Sequence, residues 1–153
     1  MRIWSSCSLK NVTNEPQPDA FLRILPEHGG QSKVDSDDYI NGAPEFVAEV
    51  AATSVNYDLN VKLNAYRRNQ VEEYLVWRTL EDAVDWFILR GGQYTARAPG
   101  PDGILRSEVL PGLWLDPDAL IRRDPPALMN VGQKGIASPE HAAFVAKLAS
   151  ASK

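Results

Sequence analysis

The strongest constraint on this chain is an acid placed where acids are costly. Residues 46–51 read FVAEVA, a run rich in Val and Phe that is expected to form a buried strand over residues 45–51. Glu49 interrupts it. A carboxylate taken out of water is expensive unless a cation or several hydrogen bonds meet it, so this strand needs a partner from elsewhere in the chain. The stretch Pro44–Trp77 offers one, because it reads as strand, loop, helix, strand. After Thr53 and Ser54, a helix is expected from about Val55 to Asn69, with Val55, Leu59, Leu63 and Tyr66 forming one apolar stripe. Lys62 lies at the edge of that stripe. Asp58, four residues earlier, can pair with it in the favourable acid-first order. Residues 73–79 form the next expected strand.

The flanking sequence supplies the rest of a sheet. Residues 3–12 suggest a short edge strand, and the prolines of NEPQP make residues 14–18 a turn. Asp19–Leu25 reads as a mostly apolar strand. Residues 27–41 are polar and acidic and are expected as a surface loop; Asp35, Asp37 and Asp38 lack the glycine and terminal glutamate of a calcium-binding loop. Two β-prone runs, 83–90 and 93–97, flank Gly91-Gly92 and predict a hairpin. A further strand is expected over 104–110, followed by the apolar triplet 113–115. Asp116 is placed to cap a short helix with Pro117 at its first position. Residues 122–135 read as loose chain, and Ser138-Pro139 opens a last helix to about Ala149. The expected class is α/β or α+β, a mixed sheet flanked by helices. One domain is expected over 1–121 with its core at 14–121, then a linker and C-terminal helix over 122–153.

Several function classes lose support. The chain has 153 residues and a formal net charge of −4, so no global basic field draws in nucleic acid, and any such contact must be local or metal-bridged. Cys7 is the single cysteine, which rules out an internal disulfide or a cysteine metal cluster and fits a reducing cytoplasm. No run approaches the length of a membrane-spanning helix, and the first residues do not read as a signal peptide. His28 and His141 are far apart and have no zinc-ligand spacing. Neither a phosphate loop nor a G-x-S-x-G elbow occurs.

Three residues on neighbouring elements remain. Asp19 opens one strand, Glu49 lies towards the end of the next, and Lys62 sits on the helix that follows. Two carboxylates on adjacent strands suit a hard cation such as Mg²⁺, with water and a phosphate completing its shell. A lysine beside them can orient water or offset charge on phosphorus. From the residues alone a structural reading stays open beside this one. In it, Asp19 bonds the adjoining turn, Glu49 bridges to Lys62 or an arginine, and Lys62 is an ordinary snorkelling lysine.

The segments EPQPDAFL and APEFVAEVAATSVNYDLNVKLNAYRRNQVEEYLVW, with the later GQY and LPGLWLD, resemble the Uma-type restriction-endonuclease family of the PD-(D/E)XK nuclease superfamily. The similarity runs from about Asn14 to Ile121. It implies a restriction-endonuclease-like core and a DNA endonuclease activity dependent on Mg²⁺ or Mn²⁺. Asp19 and Glu49 would be metal ligands, with the Val50 carbonyl a third. Lys62 would be catalytic, and Gln17 and Asp58 would support the site. The superfamily's lysine two residues after the second acid falls on Ala51 here, and Lys62 is expected to take its place. Family members also carry a longer region before the PD element, so an N-terminally truncated sheet is expected, with an edge able to pair in a homodimer. The alternative is an inactive nuclease fold serving as a protein-interaction or nucleic-acid-binding module.

Overall fold

Residues 9–10, 17–36, 39–52 and 55–151 are described by the structure, a computed structural model, with side chains for 17–36, 39–52 and 59–151. In chain order the first strands are β1 (Leu9–Lys10), β2 (Ala20–Leu22), β3 (Lys33–Val34), β4 (Ile40–Asn41) and β5 (Phe46–Ala51). Helix α1 (Val55–Arg68) leads to β6 (Glu73–Arg78), β7 (Ala83–Arg90) and β8 (Gln93–Ala96). The chain ends with β9 (Leu105–Arg106), β10 (Trp114–Leu115), α2 (Pro117–Ile121), α3 (Pro125–Ile136) and α4 (Pro139–Ala151). The architecture is mixed α+β.

The main sheet has five strands in the order β2-β5-β6-β7-β8. Only β5 and β6 run parallel; every other pairing is antiparallel. A parallel pair cannot be joined by a tight turn, and α1 makes the crossover. Both faces of the sheet are covered, which explains why β5 and β6 read as nearly continuous apolar runs. On one face Val47, Tyr74 and Val76 pack with Phe21, Val71 and Tyr66, and Leu59 and Leu63 of α1 lie against them. On the other, Phe46, Leu75, Trp86 and Ile88 pack with Leu105 and Leu110, and Phe144 of α4 joins them. The β7–β8 hairpin closes as expected. Gly91 and Gly92 take φ of 56° and 78°, the left-handed pair that this two-residue turn demands.

Asp116 caps α2 by accepting from the Ala119 amide at 3.0 Å, also as expected. Three segments differ from expectation. The loop over 27–41 carries a 3-10 turn at Pro26–His28 and a small sheet in which β4 lies between β1 and β3. Asp35 organises it, accepting from the Tyr39 amide and the Asn41 side chain, each at 3.0 Å, and Ile40 is buried as a result. Residues 125–136, expected as loose chain, form α3. Asp124 accepts from the Ala127 amide at 3.1 Å and Pro125 takes the first turn, the same cap as in α2. Gly135 lets α3 close on β10: a Cβ there would lie 2.2 Å from the Gly112 carbonyl oxygen.

The strand expected over 104–110 is reduced to Leu105–Arg106 because a buried acid turns the chain. Glu73 is fully buried, and its oxygens accept from the Ser107 hydroxyl and the Glu108 amide, both at 2.7 Å. Burial pushes the Glu73 carboxyl above its ordinary range, opposed by the Ser107 hydroxyl and the Glu108 and Val109 amides. All of these partners are donors, so an amide at position 73 would turn its NH₂ towards one of them. Glu73→Gln is therefore expected to lose about 1–3 kcal/mol in chemical denaturation; unchanged stability would contradict this role.

Candidate active site

Strand alternation decides which side Glu49 faces. With Val47 and Ala51 it lies on the face covered by α1, where both of those neighbours join the core. Helical spacing brings Leu59, Lys62, Leu63 and Tyr66 to the matching side of α1. Glu49 is only 3% exposed, and each of its oxygens has a partner. Oε2 is 2.8 Å from the Lys62 ammonium, and Oε1 accepts from the Tyr66 hydroxyl at 2.5 Å. Burial pushes the Glu49 carboxyl above its usual range; Lys62 and Tyr66 pull it back, and the charge of Asp19 adds to the rise. The Tyr66 phenol is driven far upward by its own burial and then by Glu49, so it remains a donor. Its ring lies 4.9 Å from that of Tyr74.

Asp19 arrives from the neighbouring strand. Buried Pro18 fixes the approach, and the register pairing Ala20 with Ala48 sets Asp19 opposite Glu49. Its Oδ2 accepts from the Val50 amide at 2.7 Å, so its bond reaches across to β5 and not, as the structural reading expected, to the adjoining turn. In an extended strand the N–H and C=O of one residue point the same way, so the Val50 carbonyl lies on the same edge of β5 as its amide, towards β2. A pocket of about 220 Å³ opens beside these groups, lined by Glu49, Val50, Ala51, Lys62 and Tyr74 among others.

The donors suit a hard cation that keeps part of its water. Two carboxylates and one carbonyl would offer the oxygen donors that Mg²⁺ or Mn²⁺ prefers, and Mg²⁺ is commonly held by one or two carboxylates plus phosphate and water. Among the described residues no group of three or more acids, histidines or cysteines could enclose a metal.

The structure thus gathers Asp19, Glu49, Val50 and Lys62. Gln17 is exposed immediately before Pro18. The side chain of Asp58 lies outside the described residues, as do Asp37 and Asp38. Lys62 reaches Glu49 across the helix–sheet interface, while Ala51 contributes no charge. Sequence reasoning treated Tyr66 only as core. Its position four residues after Lys62 was the available signal, since that spacing puts both on one helix face. Arg67 donates to the Gly92 carbonyl at 3.1 Å and ties α1 to the hairpin.

The Glu49 shift sets the sign of a pH effect. A carboxyl whose folded pKa is raised binds its proton more tightly in the native state, so stability falls as pH rises above about 4.5 through the folded value. Glu49→Gln lacks this penalty. In EDTA, the melting temperature of the variant relative to the parent is expected to rise between pH 4.5 and pH 8. A constant difference would show that Glu49 is not held against its ionisation.

Comparison with known proteins gives a family. No curated protein matches the chain. A crystal structure described as that of "a putative nuclease belonging to DUF820", from Anabaena variabilis ATCC 29413, aligns with a TM-score of 0.48 at 12% identity. The alignment covers 71% of this chain and 60% of that one, so the match spans less than two thirds of that protein. The family model Uma2, described as "Putative restriction endonuclease", matches residues 4–118. That span holds Asp19, Glu49, Val50 and Lys62 together with the β5–α1–β6 unit that positions them. The chain is a member of the Uma2 family.

Proposed function

We propose that this protein is a Mg²⁺- or Mn²⁺-dependent DNA endonuclease of the cytoplasm that hydrolyses phosphodiester bonds. One observation carries the reading: a buried carboxylate, Glu49, meets a lysine at 2.8 Å beside an open pocket, with Asp19 anchored on the next residue along the strand. Asp19, Glu49 and the Val50 carbonyl would hold the ion. Bound there, a divalent cation supplies Lewis acidity, lowering the pKa of water and polarising a phosphate oxygen. The protein's own groups do the rest. Tyr66 fixes the rotamer of Glu49 through Oε1. Lys62 presents N–H donors to the pocket, where they can orient the attacking water or offset charge on the phosphoryl oxygens. With a net charge of −4 the chain offers DNA little long-range attraction, so affinity must come from this local centre and its ion.

A second reading has its own support, because both Glu49 oxygens are already satisfied inside the protein, as in a purely structural bridge. In that case the domain would be an inactive interaction module. Plasmid nicking separates the two. With Mg²⁺ or Mn²⁺ the parent should cut, and Asp19→Asn, Glu49→Gln and Lys62→Ala should each be slower by about 10²-fold or more. Equal rates in parent and variants would remove the site.

A further inference from the structure

The partners of Glu49 differ in how easily they can leave. Lys62 and a divalent ion bonded to the same oxygen would be neighbouring cations, and their repulsion would be strong in a partly buried site. One partner of the carboxylate has to move. Tyr66 is 0% exposed, with its ring against Tyr74, so its hydroxyl has nowhere to go. The Lys62 side chain is 40% exposed on a flexible stem, and its ammonium can be rehydrated at once. The pocket beside Glu49 is lined by Lys62 itself, so the released ammonium stays within reach of whatever binds there.

Resting on the endonuclease reading, we propose that Lys62 occupies the place of the divalent ion on Glu49 Oε2 and is displaced when the ion binds, while Tyr66 remains as a positioning residue on Oε1. The exchange keeps the buried carboxylate neutralised in both states. It also sets an order of events. Lys62 becomes available to the phosphate only once the ion has replaced it, so Glu49 is never left buried and unpaired.

The test is amine-selective labelling of the full-length protein, resolved by peptide, with and without Mg²⁺ and without DNA. Without Mg²⁺, Lys62 should react several-fold more slowly than in Glu49→Gln. Mg²⁺ should raise Lys62 labelling several-fold in the parent, leave it unchanged in Glu49→Gln, and leave the exposed Lys33, Lys134 and Lys147 unaffected in both. Slow labelling that ignores Mg²⁺, or labelling already as fast as in Glu49→Gln, would overturn the exchange. Tyr66→Phe, shown by its melting curve to be folded, should need more Mg²⁺ for half of the response; an unchanged midpoint would overturn the positioning role. Nicking by the same samples distinguishes the failures. Mg²⁺-dependent nicking without a labelling change refutes the exchange alone, whereas no response to Mg²⁺ or Mn²⁺ in either assay refutes the endonuclease reading as well.

Discussion

The contact between Glu49 and α1 is the constraint on which the surrounding structure depends. A carboxylate at a sheet position that is 3% exposed is tolerable only because Lys62 and Tyr66 reach it from the crossover helix. That requirement fixes the rotation of α1 over the sheet: the same face must deliver an ammonium, a phenol and the leucines that fill the core. It also links local sequence to function. The β5–α1–β6 unit is both the centre of the fold and the frame of the candidate site, so a change that loosens the helix would disturb both.

Two other buried acids show what is particular about Glu49. Glu45 accepts from the Ile24 amide at 2.7 Å and the Gln31 amide at 3.2 Å, holding the chain that leaves β2. Glu73 does the same for the turn after β9. Both receive neutral N–H or O–H donors and act as acceptors for backbone that departs from the sheet. Among the described residues, Glu49 alone of these three meets a cation, and it alone borders the 220 Å³ pocket. Burial of an acid is thus no sign of chemistry by itself here. Glu45 also borders an opening, a cleft of about 740 Å³, so it is the charged partner beside the pocket that sets Glu49 apart.

Much of this was legible in the sequence, and the misses have physical causes. The sheet strands, α1 and the Gly91-Gly92 hairpin follow from periodicity and turn chemistry. The unexpected elements follow from side chains acting at a distance or from a cap that was overlooked. Glu73 truncates the strand at β9 from 34 residues away in sequence, and no local pattern reveals that. Helix α3 was signalled by Asp124-Pro125, the same cap recognised at Asp116-Pro117, but its glycines and weak stripe obscured it. At the site, Asp19, Glu49 and Lys62 stood out because charges beside apolar runs demand partners. Tyr66 did not, since a tyrosine in a helix stripe satisfies the core whether or not its hydroxyl has a task.

The central claim is that the Glu49 carboxylate is a cation site as well as a structural one, and calorimetric titration of Mg²⁺ into the purified protein tests it most directly. The account predicts a saturable binding heat in the parent that disappears in a folded Glu49→Gln variant. Identical heats in the two proteins, or none in the parent, would contradict it.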